Sequence, residues 1–470
     1  MIKKLERFNL AILGSGPGGY IAAIRAAQLG FRVAVIERDR LGGLCLNWGC
    51  IPSKAILKCA ELYETLKHSE NYGIKCGGLS FDYEKVIDKS RQAANRLSKG
   101  VDYLFKKNKI APFFGTGTFV SHGTIGIRNE EENSEIEIEA ERVIIATGTT
   151  PKTLPGLQID GKSIMTSDEA IISKDFPDSV LIIGGGAVGV EFAYIYNSFG
   201  SKVTVVEIEN QLLPEVDKEV AKELERSFKK SGMEILTSSK FKELKKSKKG
   251  MQVTIETSSK EEKQISTAQI LAAVGRRAWT QGLGLEELGV EIAESGFIKV
   301  DDNFMTTCDG IYAIGDVNGP PLLAHAASEE GVTTVERMAG VNERKVDYSR
   351  IPSCIYCQPE VASVGMTEEE AKEKGIKIKI GKFPYRAAGK AIAAGEEEGF
   401  VKIITEAEYG EILGCHIIGR GATELIAEVG LAKTLEATVV EIGETVHAHP
   451  TLSEAIMEAA LNAQGLSRNI

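Results

Sequence analysis

Two cysteines, Cys45 and Cys50, lie close together in the segment GGLCLNWGCIPSK at positions 42–54. Thiols at this spacing can ligate a metal, form a structural disulfide or act as a redox pair, and coincidence is a further alternative. Zinc-type ligation needs three or four ligands, and no nearby Cys or His completes a set, so no metal site is predicted. Eight cysteines in 470 residues do not make a disulfide scaffold. The role of the two cysteines must therefore be inferred from the surrounding sequence.

The segment before the cysteines has the order of a nucleotide-binding unit. An apolar strand precedes Gly14, Gly16 and Gly19, which form the pattern GxGxxG, and a helical segment and a second strand ending at Glu37 follow. These glycines allow a tight turn and a close approach of backbone to a pyrophosphate, which the N–H groups of the helix N-terminus bind. A carboxylate at the end of the second strand accepts hydrogen bonds from a ribose.

The same unit occurs a second time. Its glycines are Gly184, Gly186 and Gly189, and its closing acid is Glu207. The middle glycine and the acid are 21 positions apart in each copy, from 16 to 37 and from 186 to 207. One GxGxxG is weak evidence, but two matched copies in the right context are strong evidence. Two dinucleotide sites on one chain predict two cofactors that exchange electrons, a flavin and a nicotinamide nucleotide.

These motifs predict an α/β fold with two Rossmann-like dinucleotide-binding domains and a C-terminal α+β domain. We expect the first nucleotide-binding domain to comprise 1–148 and 276–345, with the second, 149–275, inserted between the two parts. The family resemblance described below implies that the first binds FAD and the second binds NAD. Residues 346–470 have alternating apolar patterns and no glycine motif. That last region is expected to form a separate α+β domain. The same resemblance implies that it is the dimerisation domain, with apolar residues of SEAIMEAALNAQ as candidates for the dimer face.

Composition limits the partners and the location. A formal net charge of −10 and a pI of about 5.4 argue against nucleic acid or an anionic membrane as the main partner. No apolar run reaches the roughly 20 residues that a transmembrane helix needs, and the N-terminus lacks the apolar region of a secretory signal. We therefore expect a cytoplasmic protein, or a mature organellar one.

The chain resembles the flavoprotein disulfide reductases, the class I pyridine nucleotide-disulfide oxidoreductases, and within them the dihydrolipoamide dehydrogenase subfamily. The resemblance covers essentially the whole chain. Beside the two glycine motifs, it depends on GGxCLNxGCIPSK at 42–54, ATG at 146–148, GD at 315–316, LLAHAA at 322–327 and HAHPTLSEA at 447–455.

Related reductases differ at identifiable places. Glutathione reductases have CVNVGCVPKK where this chain has CLNWGCIPSK, and they have basic residues after the second acid-bearing strand. Mercuric reductases have a vicinal Cys pair near the C-terminus, whereas the last cysteine here is Cys415. The chain also departs from its own subfamily, with Ala278 in GRRAW replacing the proline of GRRPN. A second departure is the segment CIYC, in which Cys354 and Cys357 are interpreted as packing residues of a strand.

The resemblance implies a role for each catalytic residue. The subfamily oxidises dihydrolipoamide with NAD. Cys45 would exchange with the substrate thiol and Cys50 would contact the flavin. His449 is the implied base, with its imidazole oriented by Glu454, and His447 is expected to be structural. Lys54 would lie near the flavin and pair with Glu191.

The resemblance also implies the contacts to both cofactors. For FAD they are Gly14, Gly16, Gly19, Glu37, Arg38, Gly42, Gly43, Cys45, Lys54, Gly117, Ala146, Thr147, Gly148, Asp316, Leu322, Leu323, Ala324 and His325. For NAD they are Gly184, Gly186, Ala187, Val188, Gly189, Glu191, Glu207, Phe241 and Gly275.

The implied assembly is a homodimer with a shared active site, in which the FAD and the Cys pair belong to one subunit and the His–Glu pair to the other. Its implied partners are lipoylated acyltransferases or glycine-cleavage carrier proteins, with no nucleic acid. Two alternatives stay open. One is a related reductase that acts on another small disulfide, and the other is a nucleotide-binding subunit without turnover.

The acid at position 207 predicts a preference for NAD over NADP. Glu207 can bind a ribose 2′-hydroxyl and would repel a 2′-phosphate. The substitution Glu207→Arg should therefore weaken NAD binding and improve NADP binding, which steady-state kinetics with both nucleotides would measure. Kinetics in which the unsubstituted protein already favours NADPH would contradict the prediction.

Overall fold

The computed structural model describes residues 5–247 and 250–469. Its helices are α1 Pro17–Gln28, α2 Gly43–Asn47, α3 Cys50–Lys67, α4 Tyr83–Lys107, α5 Ser167–Ala170, α6 Ala187–Ser198, α7 Lys218–Lys230, α8 Ala324–Met338, α9 Glu368–Glu373, α10 Gly389–Ala394, α11 Ala422–Thr434, α12 Val439–Glu444 and α13 Glu454–Ala463. Its strands are β1 Glu6–Leu13, β2 Val33–Glu37, β3 Ala111–Phe114, β4 Thr116–Ser121, β5 Thr124–Asn129, β6 Ser134–Ile145, β7 Thr149–Pro151, β8 Ile164–Thr166, β9 Ser179–Ile183, β10 Lys202–Val206, β11 Glu234–Leu236, β12 Lys240–Ser247, β13 Gly250–Glu256, β14 Glu262–Thr267, β15 Gln269–Ala272, β16 Arg276–Ala278, β17 Ile311–Ala313, β18 Ser353–Ile355, β19 Val361–Gly365, β20 Ile378–Pro384, β21 Phe400–Glu406 and β22 Ile412–Ile418.

The first domain is built on a sheet with the strand order β3-β2-β1-β6-β5-β4, and β17 pairs with β6. Strands β3, β2, β1, β6 and β17 run parallel to one another, whereas β5 pairs antiparallel with both β6 and β4. Helix α1 packs against α8, which follows β17 in sequence. The carboxyl ends of β1 and β2 therefore meet at one edge of the sheet, where a ligand of this type of fold binds.

The second domain repeats this design. Its parallel sheet has the order β11-β10-β9-β15-β8, and an antiparallel sheet, β12-β13-β14, packs beside it. The chain enters this domain through β7 and leaves it through β16, and these two strands pair antiparallel with each other. The connection between the first two domains is therefore a two-stranded ribbon.

The third domain has a five-stranded antiparallel sheet in the order β18-β19-β22-β21-β20. Helix α13 packs on β20 and β21 and against α12. Its apolar residues Ala455, Ile456, Ala459, Ala460 and Leu461 are buried in this way. The sheet of its own domain therefore covers these residues within one chain, and the expectation that this segment supplies the dimer face stays a prediction.

A buried ionic cluster joins the second and third domains. Lys402 on β21 is 1% exposed, and its Nζ lies 2.9 Å from a carboxylate oxygen of Asp217 and 2.6 Å from one of Glu368. A third carboxylate, that of Glu219, lies 2.9 Å from the same nitrogen. Because a buried charge is tolerated only when it is paired, these contacts tie α7 of the second domain to the third domain.

No helix within the described ranges is both long and apolar enough to cross a bilayer.

Candidate active site

A cavity of about 820 Å³ lies where the three domains meet. Many residues that were predicted to bind the cofactors line it: Gly14, Gly16, Glu37, Arg38, Gly43, Cys45, Lys54, Gly117, Ala146, Thr147, Gly148, Ala187, Val188, Glu191, Asp316, Leu322, Leu323, Ala324 and His325, together with Cys50. Eight others lie outside this lining: Gly19, Gly42, Gly184, Gly186, Gly189, Glu207, Phe241 and Gly275. Phe241 packs into the core of the second domain, so its contact with NAD stays a prediction.

The first glycine loop leaves space for a pyrophosphate. A Cβ at Gly14, where φ is +99°, would lie 2.4 Å from the carbonyl oxygen of Ala146. One at Gly19 would lie 2.1 Å from the carbonyl oxygen of Gly14, so α1 approaches the strand more closely than any side chain would allow. At Gly16, by contrast, a Cβ would meet no described atom within 4 Å and would project into the cavity. The loop therefore fits the phosphates of a dinucleotide.

The second loop has the same construction. Gly184 has φ of +109°, a Cβ at Gly189 would lie 1.9 Å from the carbonyl oxygen of Gly184, and Gly186 faces open space. In both loops, therefore, the helix lies so close to the backbone of the preceding strand and turn that only glycine fits. The second loop therefore offers the same kind of cradle to a second dinucleotide.

Each closing glutamate is held against its own glycine loop. Glu37 is 7% exposed, and its carboxylate accepts hydrogen bonds from the N–H of Ser15 at 2.9 Å and from its hydroxyl at 2.7 Å. Glu207 is 6% exposed and accepts from the N–H groups of Gly185 and Glu209. Both carboxylates are therefore fixed at the ends of β2 and β10, where a ribose is expected.

The two thiols of the pair have pKa values shifted in opposite directions. Cys45 is on α2 and Cys50 is the first residue of α3, and both are free, half-buried thiols. The hydrogen bond that the Cys45 thiol donates lowers the pKa of Cys50, burial opposes this effect, and Lys54 adds to it. The same hydrogen bond and burial raise the pKa of Cys45. The negative charge of the reduced pair therefore lies on Cys50, where the helix N-terminus also favours it.

Lys54 is held by groups from two other domains. Its Nζ lies 3.0 Å from both carboxylate oxygens of Glu191 on α6. The backbone N–H of Tyr356 donates to the same carboxylate at 3.0 Å, and the tyrosine ring lies 4.4 Å from Nζ. The first, second and third domains each contribute one residue to this group. The cation beside Cys50 is therefore positioned by the arrangement of the whole chain.

A half-buried arginine that we did not predict, Arg276, holds Asp316 in position through Thr149. Arg276 donates from Nε to the Thr149 hydroxyl at 2.8 Å and from Nη2 to the Thr149 carbonyl at 3.0 Å. The Thr149 hydroxyl in turn donates to Asp316 at 3.0 Å. Burial raises the pKa of Asp316, and the threonine hydrogen bond opposes that shift. The arginine of GRRAW, directly after a nucleotide-domain strand, was the available sequence signal.

The His–Glu pair forms but lies apart from the cavity lining. Nδ1 of His449 is 3.0 Å from a carboxylate oxygen of Glu454, whose other oxygen accepts from the Thr451 N–H at 2.8 Å. The His449 side chain is 77% exposed. By contrast, the His447 side chain is only 5% exposed and contacts Glu428. One chain therefore orients the imidazole without bringing it to the thiols.

The cysteines of CIYC occupy different surroundings. Cys357 is buried in the core, and Cys354 on β18 lines the cavity. Burial raises the pKa of Cys354 to about 11. A neutral thiol of this kind is a poor nucleophile, which agrees with the interpretation of the segment as a packing strand.

Comparison with known proteins assigns the chain to a family. Residues 8–331 match the pyridine nucleotide-disulphide oxidoreductase family, and residues 351–460 match the dimerisation domain of that family. The chain is 45% identical to a Bacillus subtilis (strain 168) protein named dihydrolipoyl dehydrogenase, over 97% of this chain and 98% of the relative. It is 43% identical to the mitochondrial dihydrolipoyl dehydrogenase of Pisum sativum, over 96% of this chain and 91% of the relative.

Solved structures have the same fold. LpdA from Mycobacterium tuberculosis superposes with a TM-score of 0.89 at 27% identity, over 97% of this chain and 99% of that one. These matches confirm the predicted fold class, the disulfide oxidoreductase activity with FAD and NAD, and the homodimer. The chain belongs to the pyridine nucleotide-disulphide oxidoreductase family.

Proposed function

We propose that the chain oxidises protein-bound dihydrolipoamide to lipoamide and reduces NAD, as a component of 2-oxo acid dehydrogenase or glycine-cleavage complexes. The observation that carries the proposal is the polarised thiol pair beside Lys54, in a cavity that also contains a dinucleotide cradle. Relatives named dihydrolipoyl dehydrogenase, matched over nearly their full length, support this substrate.

The chemistry of the thiol pair is disulfide exchange. In the oxidised enzyme Cys45 and Cys50 form a disulfide. A substrate thiolate attacks Sγ of Cys45, and the bond between the two cysteines breaks, so that Cys50 leaves as a thiolate. The second substrate thiolate then attacks the substrate sulfur of the mixed disulfide, which closes the lipoamide ring and releases Cys45. The substrate dithiol has lost two electrons and the cysteine pair has gained them.

The lower pKa of Cys50 favours attack of the substrate thiolate on Cys45. A sulfur with a low pKa is the better leaving group in thiol–disulfide exchange. Cys50 has the lowered pKa because of the hydrogen bond from Cys45 and the charge of Lys54. The structure therefore supports Cys45 as the sulfur that is attacked and Cys50 as the one that leaves.

The cofactor sites complete the reaction. When bound, FAD would supply reoxidation of the dithiol pair and transfer of its electrons as hydride to NAD. The residues of this chain would hold both nucleotides: the two glycine loops would bind the pyrophosphates, and Glu37 and Glu207 would bind the riboses. Lys54 keeps a positive charge beside Cys50, while Arg276, through Thr149, holds Asp316 at the wall of the first site.

The base comes from the second subunit of the homodimer in this proposal. A substrate thiol has a pKa of about 8.5, so a base assists its deprotonation. The imidazole of His449 is oriented by Glu454 but is exposed and outside the cavity of its own chain. We infer that His449 of the partner subunit accepts the substrate proton at Nε2, opposite the nitrogen that contacts the carboxylate.

The proposed partners are lipoylated acyltransferases or glycine-cleavage carrier proteins, and the proposed location is the cytoplasm or an organelle matrix. The lipoyl group of such carriers supplies the dithiol. The relatives include bacterial proteins and plant proteins named as mitochondrial, which fits both locations.

Substrate preference tests the proposal. Purified protein should reduce NAD with dihydrolipoamide about a hundredfold faster, or more, than it reduces glutathione disulfide with NADPH, because Glu207 repels a 2′-phosphate. Absorbance at roughly 340 nm follows both reactions through the nicotinamide. Faster turnover of glutathione disulfide would instead support the related-reductase alternative. A colourless protein without a flavin band would support the non-catalytic one.

Mixed dimers test the shared site. A Cys45→Ser chain and a His449→Gln chain, co-expressed with two different tags, form a dimer in which one site contains both intact Cys residues and intact His449. We expect about half of the activity of the unsubstituted dimer, if the two sites act independently. Each homodimeric variant is the control for residual activity. Mixed dimers, verified by mass, that stay at the single-variant level would show that each chain builds its own site.

A further inference from the structure

Arg38 and Trp279 form a stack at one end of the cavity. The guanidinium carbon of Arg38 lies 3.5 Å from the centre of the Trp279 ring, and both residues line the cavity. Arg38 directly follows Glu37 at the end of β2, whereas Trp279 directly follows β16, the strand by which the chain returns from the second domain. Two segments that are distant in sequence therefore meet beside the first glutamate.

The position of the indole is fixed by its backbone. The N–H of Trp279 donates to the carbonyl of Gly148 at 2.9 Å, and the Thr147 hydroxyl donates to the Trp279 carbonyl at 2.7 Å. Both partners belong to the ATG segment at the end of β6. The tryptophan is therefore attached to the wall of the first nucleotide site rather than to the second domain.

The guanidinium of Arg38 has its hydrogen-bonding capacity free for a ligand. Within the described parts of the chain it makes no hydrogen bond or ion pair, and its close contact is the stack with Trp279. Its charge does reach Asp168 on the cavity wall, where, with the charge of Arg276, it opposes the rise in pKa that burial causes. A guanidinium has five N–H donors, and a face-on stack leaves those at its edge available.

The stack lies beside the carboxylate that is expected to bind the ribose, because Arg38 directly follows Glu37. Cys45, Cys50 and Lys54 line the same cavity, and they are the residues proposed to carry the redox chemistry. A nucleotide bound with its ribose at Glu37 would therefore have its adenosine half beside the donors of Arg38.

We propose that Trp279 is a positioning residue for FAD binding: its indole is the platform that holds the Arg38 guanidinium over the adenosine half of the cofactor. Without the indole, the exposed arginine side chain would sample many rotamers, and binding would have to order it. The inference rests on FAD in the first site, but it is independent of which dithiol the enzyme oxidises.

Release of FAD from the holoenzyme tests this inference. The fluorescence of freed FAD after dilution gives the dissociation rate for each variant. Trp279→Ala and Arg38→Ala should each raise the rate about 3- to 30-fold, the range expected for loss of a cation–π contact. The double variant should release FAD no faster than the more affected single variant, because either change alone already breaks the stack.

Three controls distinguish loss of the positioning of Arg38 from a general destabilisation of the protein. Trp279→Phe keeps an aromatic platform and should restore most of the retention. Arg277→Ala removes an exposed arginine two positions before the tryptophan and outside the cavity, so the release rate should stay at the level of the unsubstituted protein. The visible absorption band of the bound flavin should keep its shape in all variants, because the stack is beside the residue expected to bind the ribose, Glu37.

Three results would overturn the inference. The first is a Trp279→Ala variant that retains FAD as well as the unsubstituted protein. The second is a Trp279→Phe variant that releases FAD as fast as the alanine variant. The third is a double variant whose rate increase equals the product of the two single increases, because independent effects would show that the two side chains do not act as one unit.

Discussion

The ion pair between Lys54 and Glu191 is the interaction on which the active site depends. It places a positive charge one helical turn after Cys50, and it is anchored by a carboxylate of the second domain and a backbone N–H of Tyr356 in the third. Glu191 is 7% exposed, so loss of Lys54 would leave a buried carboxylate without its cation. The three domains must therefore be correctly placed relative to one another before the pKa of Cys50 falls below that of Cys45.

The same dependence explains why contacts between domains are charged or hydrogen-bonded rather than only apolar. Lys402 ties the second domain to the third. Arg276, through Thr149, connects the two-stranded ribbon of β7 and β16 to Asp316. Directional contacts fix relative position more precisely than apolar packing does. The cavity needs that precision, because its walls come from elements that are far apart in sequence.

Short sequence motifs were enough to predict much of the fold and many residues of the site. Glycine spacing, strand-ending acids and the CLNWGC segment act within about 40 residues, so the sequence pattern contains them directly. Contacts between domains leave no such pattern: the backbone N–H of Tyr356 donates to Glu191, the partner of Lys54, and Arg276 reaches Asp316 through Thr149. Amphipathic spacing in α13 identified an apolar face, but it did not show that its own sheet covers that face. The spacing of Cys45 and Cys50 made them candidates, but their separate roles and the role of His449 came from the resemblance, since this chemistry depends on partners that periodicity does not reveal.

The reduced thiol pair carries its negative charge on Cys50, and the rest of the active site depends on this. The most direct measurement is the pH dependence of alkylation of Cys50 in a Cys45→Ser variant, whose hydroxyl retains a hydrogen-bond donor. Because the pKa of Cys50 is lowered, the midpoint should lie below that of a free thiol, about 8.5. The further substitution Lys54→Met should raise it. A midpoint at or above that of a free thiol, unchanged by loss of Lys54, would contradict the account.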